Sequence, residues 1–209
     1  FFLWLGALPT GCEGSRPPKR ILLTFLGDIM VHKINYLSLD YRCIYEPVAW
    51  ILKRDDLSFA NLESPVNPDG PYSDYPRFNV EPAYLQAAVE AVKDQKPLIY
   101  RAESSNLEAF AAIAAAAKTP LAVGGASLEE LAELTSRAKE KGAEDLVLAF
   151  SSKGAETIRS LTLTRRSALR KGFRPFGYPA MVEVEASLPE AESLLGSIFA
   201  AKYAGIVLI

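Results

Sequence analysis

From Lys96 onward the apolar positions fall into five short continuous runs, each followed by a longer amphipathic stretch. Leu98–Tyr100, Pro120–Val123, Asp145–Phe150, Tyr178–Val184 and Ile206–Ile209 have the length and the flanking turn residues of buried strands. Between them, helices are predicted to Lys118, to Gly142, over Ala155–Lys171 and up to Gly205. Ser105, Ser127 and Ser187 each stand three residues before a glutamate (Glu108, Glu130, Glu190), the spacing of a capping box that satisfies orphan helix N–H groups. Gly142, Gly172 and Gly205 lie past helix ends, where a left-handed residue stops a helix. Five strands alternating with four helices predict parallel βα units. A closed barrel takes eight such units, so this is part of a barrel or an open sheet.

Before Lys96 the pattern is less regular. Ile21–Leu26 is a short apolar run ending in Gly27-Asp28, predicting a buried strand that delivers an aspartate at its C-terminal end. Pro47–Leu52 predicts a short helix, and Leu57–Leu62 a second buried strand ending at Asn61-Leu62-Glu63. Residues 64–80 carry five Pro or Gly residues and predict an ordered loop. Glu81–Val92 predicts a helix with Pro82 in its tolerant first turn.

Composition changes the picture at one place. The first 92 residues hold 13 of the 21 aromatics and 7 alanines, whereas the rest hold 22 alanines, and no Gly/Ser-rich linker separates the two textures. An abrupt change without a flexible joint marks a domain boundary or a junction between pieces of different origin. The expected division is a terminal segment 1–20, a piece 21–92 and a piece 93–209. A net charge of −2 gives no pull toward nucleic acid, and 49% hydrophobic residues are enough for a core. No apolar run reaches the about 18 residues of a spanning helix. Residues 1–12, FFLWLGALPTGC, read either as the tail of a bacterial lipoprotein signal without its basic region or as an ordinary terminus or buried strand. A membrane enters only through the first of these readings. With two cysteines, Cys12 and Cys43, the chain itself lacks the four thiolates of an iron–sulfur cluster.

Candidate chemistry centres on Asp28, Asn61, Glu63 and His32, the single histidine. Two adjacent parallel strands ending in Asp28 and Glu63 would bring two carboxylates within bridging distance of a divalent ion, with an imidazole nearby. The competing reading is that Asp28 caps a turn, Asn61 satisfies loop backbone and His32 lies at the surface. A two-metal phosphoesterase centre takes about six to eight ligands, more than this group supplies. Gly124-Gly125 reads as a turn more readily than as a phosphate-approaching loop. Arg165, Arg166, Arg170, Lys171 and Arg174 cluster near a helix end, where dipole compensation and solvation account for them as well as an anion would.

The blocks ILLTFLGDIMVHK, EPVAWIL, DLSFANLESPVN and YSDYPRFNVEPAYLQAA resemble, in order and spacing, the start of the CapA/PgsA-type capsule and poly-γ-glutamate synthesis proteins of the metallophosphoesterase superfamily. That resemblance implies a truncated metallophosphoesterase-like α/β piece in a bacterial envelope protein. It makes Asp28 and Glu63 metal ligands with Asn61 and His32 beside them and Mn²⁺ or a similar divalent ion the cofactor, which the short ligand count leaves weakly held. The family's Asn-Asn-His segment and later histidines do not follow, so the phosphoesterase is expected to be catalytically incomplete. KPLIYRAESSNLEAFAAIA, TPLAV, LEELAELTSRAKEKGAEDLVL and LTLTRRSALRKGFRPFGYP resemble the barrel domain of the large (gamma) subunit of the corrinoid iron–sulfur protein of acetyl-CoA synthesis. Here the resemblance implies a cytoplasmic partial (β/α) barrel. Its partners would be the small corrinoid-protein subunit, a methyltransferase and a carbon monoxide dehydrogenase/acetyl-CoA synthase. The cluster-binding and cobalamin-binding regions of that subunit have no counterpart in residues 96–209, so neither an iron–sulfur cluster nor cobalamin is expected in this chain alone. Ala149-Phe150-Ser151-Ser152 stands where that family tends to carry an Asp-Pro-Gly turn. The sequence thus reads as an α/β composite with three functions in view: incomplete phosphoesterase, methyl-transfer scaffold, or fold without activity.

Overall fold

The computed structural model describes residues 22–209 apart from 31, 39, 41, 55, 63–65, 68, 69 and 74–78. At Gly27, Asp28, Arg42, Leu57, Phe59, Asn61 and Leu62 the backbone alone is described. The predicted terminal segment 1–20 and Glu63 lie outside the described residues. Two compact units divide between Pro97 and Leu98.

In the second unit, β3 (Ile99–Ala102), β4 (Leu121–Gly124), β5 (Leu146–Ser151), β6 (Ala180–Glu183) and β7 (Ala204–Leu208) form one sheet in sequence order, every neighbouring pair parallel. The crossovers are α4 (Leu107–Ala117), α5 (Leu128–Glu140), α6 (Ala155–Lys171) and α7 (Pro189–Ala201). Parallel βα units are what the sequence predicts. Period-2 alternation sorts the strands onto two layers. Ala122, Val147, Ala149 and Met181 form one buried cluster with Leu98 and Leu208 against it. Val182 and Val184 face the other way, into Leu161 and Ile158 of α6 and Phe199 and Leu195 of α7. Gly196 of α7 permits that approach: a Cβ there would stand 3.1 Å from Ile209 Cδ1.

Helix boundaries separate the three predicted capping boxes. Ser127 caps α5 as expected, its hydroxyl accepting the Glu130 N–H at 3.1 Å while the Glu130 carboxylate accepts the Ala126 N–H at 2.7 Å. Ser105 does not cap α4. Asn106 occupies the cap position, and its side-chain oxygen accepts the Glu103 N–H at 2.7 Å, tying the helix entry to the end of β3. Ser187 does not cap α7 either; Leu188 holds that position because Pro189, with its preset φ, takes the first helical turn. Gly142 and Gly172 adopt φ of 91° and 62° after α5 and α6 as predicted. After α7 the positive φ, 79°, falls on Tyr203 instead of Gly205, which already lies in β7.

In the first unit, β1 (Leu23–Ile29) pairs in parallel with β2 (Leu57–Leu62). Contrary to the predicted burial of the first strand, Leu23 and Phe25 are 43% and 60% exposed. α1 (Lys33–Tyr36) is a single turn. α2 (Arg42–Leu52) starts five residues before the predicted Pro47, with the proline inside it. Tertiary contact explains the extension. Tyr45 and Leu52, seven residues apart on one face, are buried, and Tyr45 meets Tyr84 of α3 (Pro82–Ala91) edge to face at 5.8 Å. The predicted loop is tied by a Ser73–Asn79 bridge and an Asn79 Nδ2–H donated to Pro71 O at 2.8 Å.

Candidate functional site

Parallel βα units place chemistry at the C-terminal ends of their strands, because successive βα loops converge there. In the second unit β3 carries Tyr100 and Arg101, and the last positions of β4, β5 and β6 are Gly124, Ser151 and Glu183. The Tyr100 hydroxyl donates to Glu183 Oε2 at 2.7 Å across two intervening strands. On a flat sheet β3 and β6 would lie about 14 Å apart, with side chains nearly perpendicular to it. The bridge therefore requires the sheet to curl toward its inner face, as a barrel wall does.

Arg101 organises the floor of this mouth. Its Nε–H donates to Glu103 Oε1 at 2.7 Å, a second N–H reaches the same carboxylate, and Nη1 donates to Ser151 Oγ at 3.1 Å. Burial works against the Arg101 cation, but hydrogen bonds with Glu103 and Tyr100 outweigh it and hold the group above its ordinary pKa. Tyr100 is pushed up to about 12, first by burial and then by its bond to Glu183. Gly124 is small because Arg101 crosses it: a Cβ would lie 2.9 Å from Nε. Gly125 is small for another reason, since its Cβ would lie 2.7 Å from the Leu131 backbone nitrogen in α5. Both glycines thus serve close packing. The mouth opens into a cleft of about 540 Å³ that runs from Arg101 and Glu103 past Gly124–Ser127 to Ser151, Lys153 and Thr157. Thr157 fastens its far wall, accepting the Lys153 N–H at 2.8 Å and donating to Ser151 O at 2.9 Å.

Apart from Gly124-Gly125, read from sequence as a turn more readily than as a phosphate loop, none of these residues stands out as a site in the sequence. Their signal was positional: polar or glycine residues at the last position of successive strands, Gly124, Ser151 and Glu183. In the first unit, the register places Asp28 directly opposite Asn61 on adjacent parallel strands, with His32 exposed at the start of α1. Among the described residues no three His, Cys, Asp or Glu side chains assemble as a metal-binding group. No helix among them is long and apolar enough to cross a membrane.

Comparison with known proteins divides the chain in the same two directions. A family model for the bacterial capsule synthesis protein PGA_cap matches residues 22–96. Another, for the CO dehydrogenase/acetyl-CoA synthase delta subunit, matches residues 74–209. The corrinoid/iron-sulfur protein large subunit of Moorella thermoacetica is 39% identical over 130 residues, 62% of this chain and 29% of that protein. The acetyl-CoA decarbonylase/synthase complex subunit gamma of Methanothermobacter thermautotrophicus is 34% identical over 109 residues, 50% of this chain and 23% of its own. That of Archaeoglobus fulgidus is 29% identical over 59% of this chain and 29% of its own. The chain thus spans less than a third of the length of these relatives. It is a composite, resembling a capsule-synthesis protein at one end and a corrinoid-protein subunit over the longer part. Since the second match takes in more than half of its residues, the chain belongs to the CO dehydrogenase/acetyl-CoA synthase delta subunit family.

Proposed function

We propose that the barrel-like part acts as a protein-binding scaffold in corrinoid-dependent methyl transfer and contributes no catalytic group of its own. One observation carries this reading. The polar side chains at the strand ends, where this architecture does chemistry, satisfy one another: Arg101 with Glu103 and Ser151, Tyr100 with Glu183. A cation bound to a carboxylate and a phenol pushed up to about 12 are poor nucleophiles and poor acid–base groups near neutral pH. The division into 1–20, a capsule-protein-like 21–92 and a barrel-like 93–209 belongs to the same proposal. Partners of the class expected are the small corrinoid-protein subunit, the methyltransferase and the acetyl-CoA synthase. Titration calorimetry of the full chain against each tests this. Binding tighter than about 100 μM to at least one is expected, and no heat with any of them at that concentration overturns the scaffold reading.

The cofactors of the relatives do not fit this chain's donors. Cys43 is exposed, with Sγ 3.2 Å from Ser38 Oγ, and the whole sequence offers only one other thiol. The purified protein is therefore expected without iron–sulfur absorbance and, because residues 96–209 carry no counterpart of a cobalamin-binding region, without cobalt; stoichiometric cobalt would contradict this.

A second reading rests on the Asp28–Asn61 register. These two, with Glu63 and His32, are the donors we propose for one weakly held divalent ion. Two carboxylates, one amide and one imidazole fall short of a two-metal centre, so no phosphoester step is assigned to them. With Mn²⁺ and an aryl phosphate, turnover at background is expected. Activity in the parent that disappears in Asp28→Ala would show the centre to be complete.

A further inference from the structure

Two neighbouring helices carry opposite charge in the same pattern. On α6, Arg159, Leu163, Arg166 and Arg170 follow one another at steps of four, three and four residues and are exposed. That spacing draws one stripe along a helix, and it lies opposite the face that buries Thr157, Leu161 and Thr164. On α5 the same steps join Glu129, Glu133, Ser136 and Glu140, opposite the face that buries Leu131, Leu134, Thr135 and Ala138. Each stripe spans 12 residues, about 16 Å from the first to the last at helical rise.

Helix-end compensation explains only part of the positive stripe. Arg170 sits in the last turn of α6, but Arg159 and Arg166 lie outside it. From residue 157 to 182 the sequence holds five arginines and one lysine and no acidic residue. Among the described residues no carboxylate pairs with Arg159, Arg166 or Arg170, nor any cation with Glu129 or Glu140, and Glu133 reaches Arg137 only at 3.9 Å. Leu163 and Leu169 stand among the arginines, 39% and 71% exposed. Arginine mixed with apolar side chains suits a protein surface. A membrane-seeking helix would segregate the two, and the segregated apolar face of α6 is already spent on the sheet.

We propose that this surface binds a second copy of the chain. Successive right-handed crossovers put α5 and α6 side by side on one face of the sheet, and both pack on the 3-10 turn Arg174–Phe176. A two-fold axis running parallel to the helices between them sets each acidic α5 stripe against the basic α6 stripe of the other copy, twice over. Such a surface is self-complementary and closes at two subunits. Two helices side by side cover about 400 Å² per copy, which places the dimer in the transient class. Its attraction is mostly electrostatic and is screened once the Debye length falls from about 20 Å to a few ångströms.

Sedimentation velocity on the full chain at about 100 μM reads the outcome. A dimer in low salt that dissociates at least tenfold more readily near 0.5 M salt is expected, the change in screening being the cause. The variants Arg159→Glu/Arg166→Glu and Glu129→Arg/Glu133→Arg should each be monomeric in low salt, with helical circular dichroism intact, and should form a dimer when mixed. A monomer at all salt concentrations overturns the proposal. So does an oligomer that resists salt, which would place association at strand edges, or a failure of the two folded variants to pair.

Discussion

The crossing of Arg101 over Gly124 shows how one side chain dictates its neighbour. Alanine at Gly124 meets the arginine stem, which can swing aside, whereas alanine at Gly125 meets the backbone of α5 at 2.7 Å. Gly125→Ala should therefore cost about 1–3 kcal/mol, the range of overpacking, and Gly124→Ala less; urea unfolding of both variants measures the order. Tyr100 makes a second prediction at this scale. Its phenol stays neutral in the fold up to about 12, while an unfolded tyrosine ionises near 10. The unfolded chain therefore loses its proton first as pH rises. The stabilisation is complete below pH 10 and disappears as pH climbs through about 12. Chemical denaturation along that range should show the parent losing stability relative to Tyr100→Phe, and parallel curves would contradict it.

Among the elements, the three serine–glutamate pairs share one spacing and have three outcomes. Only Ser127 holds a helix N–H, so Ser127→Ala should lower stability by about 1 kcal/mol. Ser105→Ala and Ser187→Ala should stay within about 0.5 kcal/mol, since neither serine caps a helix. Thermal or urea midpoints of the three variants decide the matter. The extension of α2 through Pro47 follows the same logic. Local preference argues for a start at the proline, but the residues before it stay helical, and Tyr45 among them is buried against Tyr84.

For the whole molecule, the order β3-β4-β5-β6-β7 leaves β3 and β7 at the edges of the five-stranded sheet. β4 is buried at every position and β5 at its first four, whereas β7 has no buried residue. Local opening should be easiest where burial is least. Amide hydrogen exchange is therefore expected to be slowest in Leu121–Gly124 and Leu146–Ala149 and markedly faster in Ala204–Leu208. Uniform protection across the five strands would mean that the β7 edge is covered in solution.

The βα rhythm after Lys96 and the stops at Gly142 and Gly172 are legible along the chain because each depends on residues close to one another, and the parallel class follows from helix-length connections between the strands. The two family likenesses were legible as well, since they rest on ordered blocks of residues. Which serine caps is not legible in the three-residue spacing, since Asn106, bonded back to Glu103, and Pro189, with its preset φ, take the other two helix starts. The strand-end network was assembled by the tertiary fold alone. Tyr100 and Glu183 are 83 positions apart and bond only because the sheet curls. At Asp28 and Asn61 the reverse holds. Their strands were legible, and the pairing of those two residues came from the register of β1 on β2, which depends on where two separate strands settle against each other.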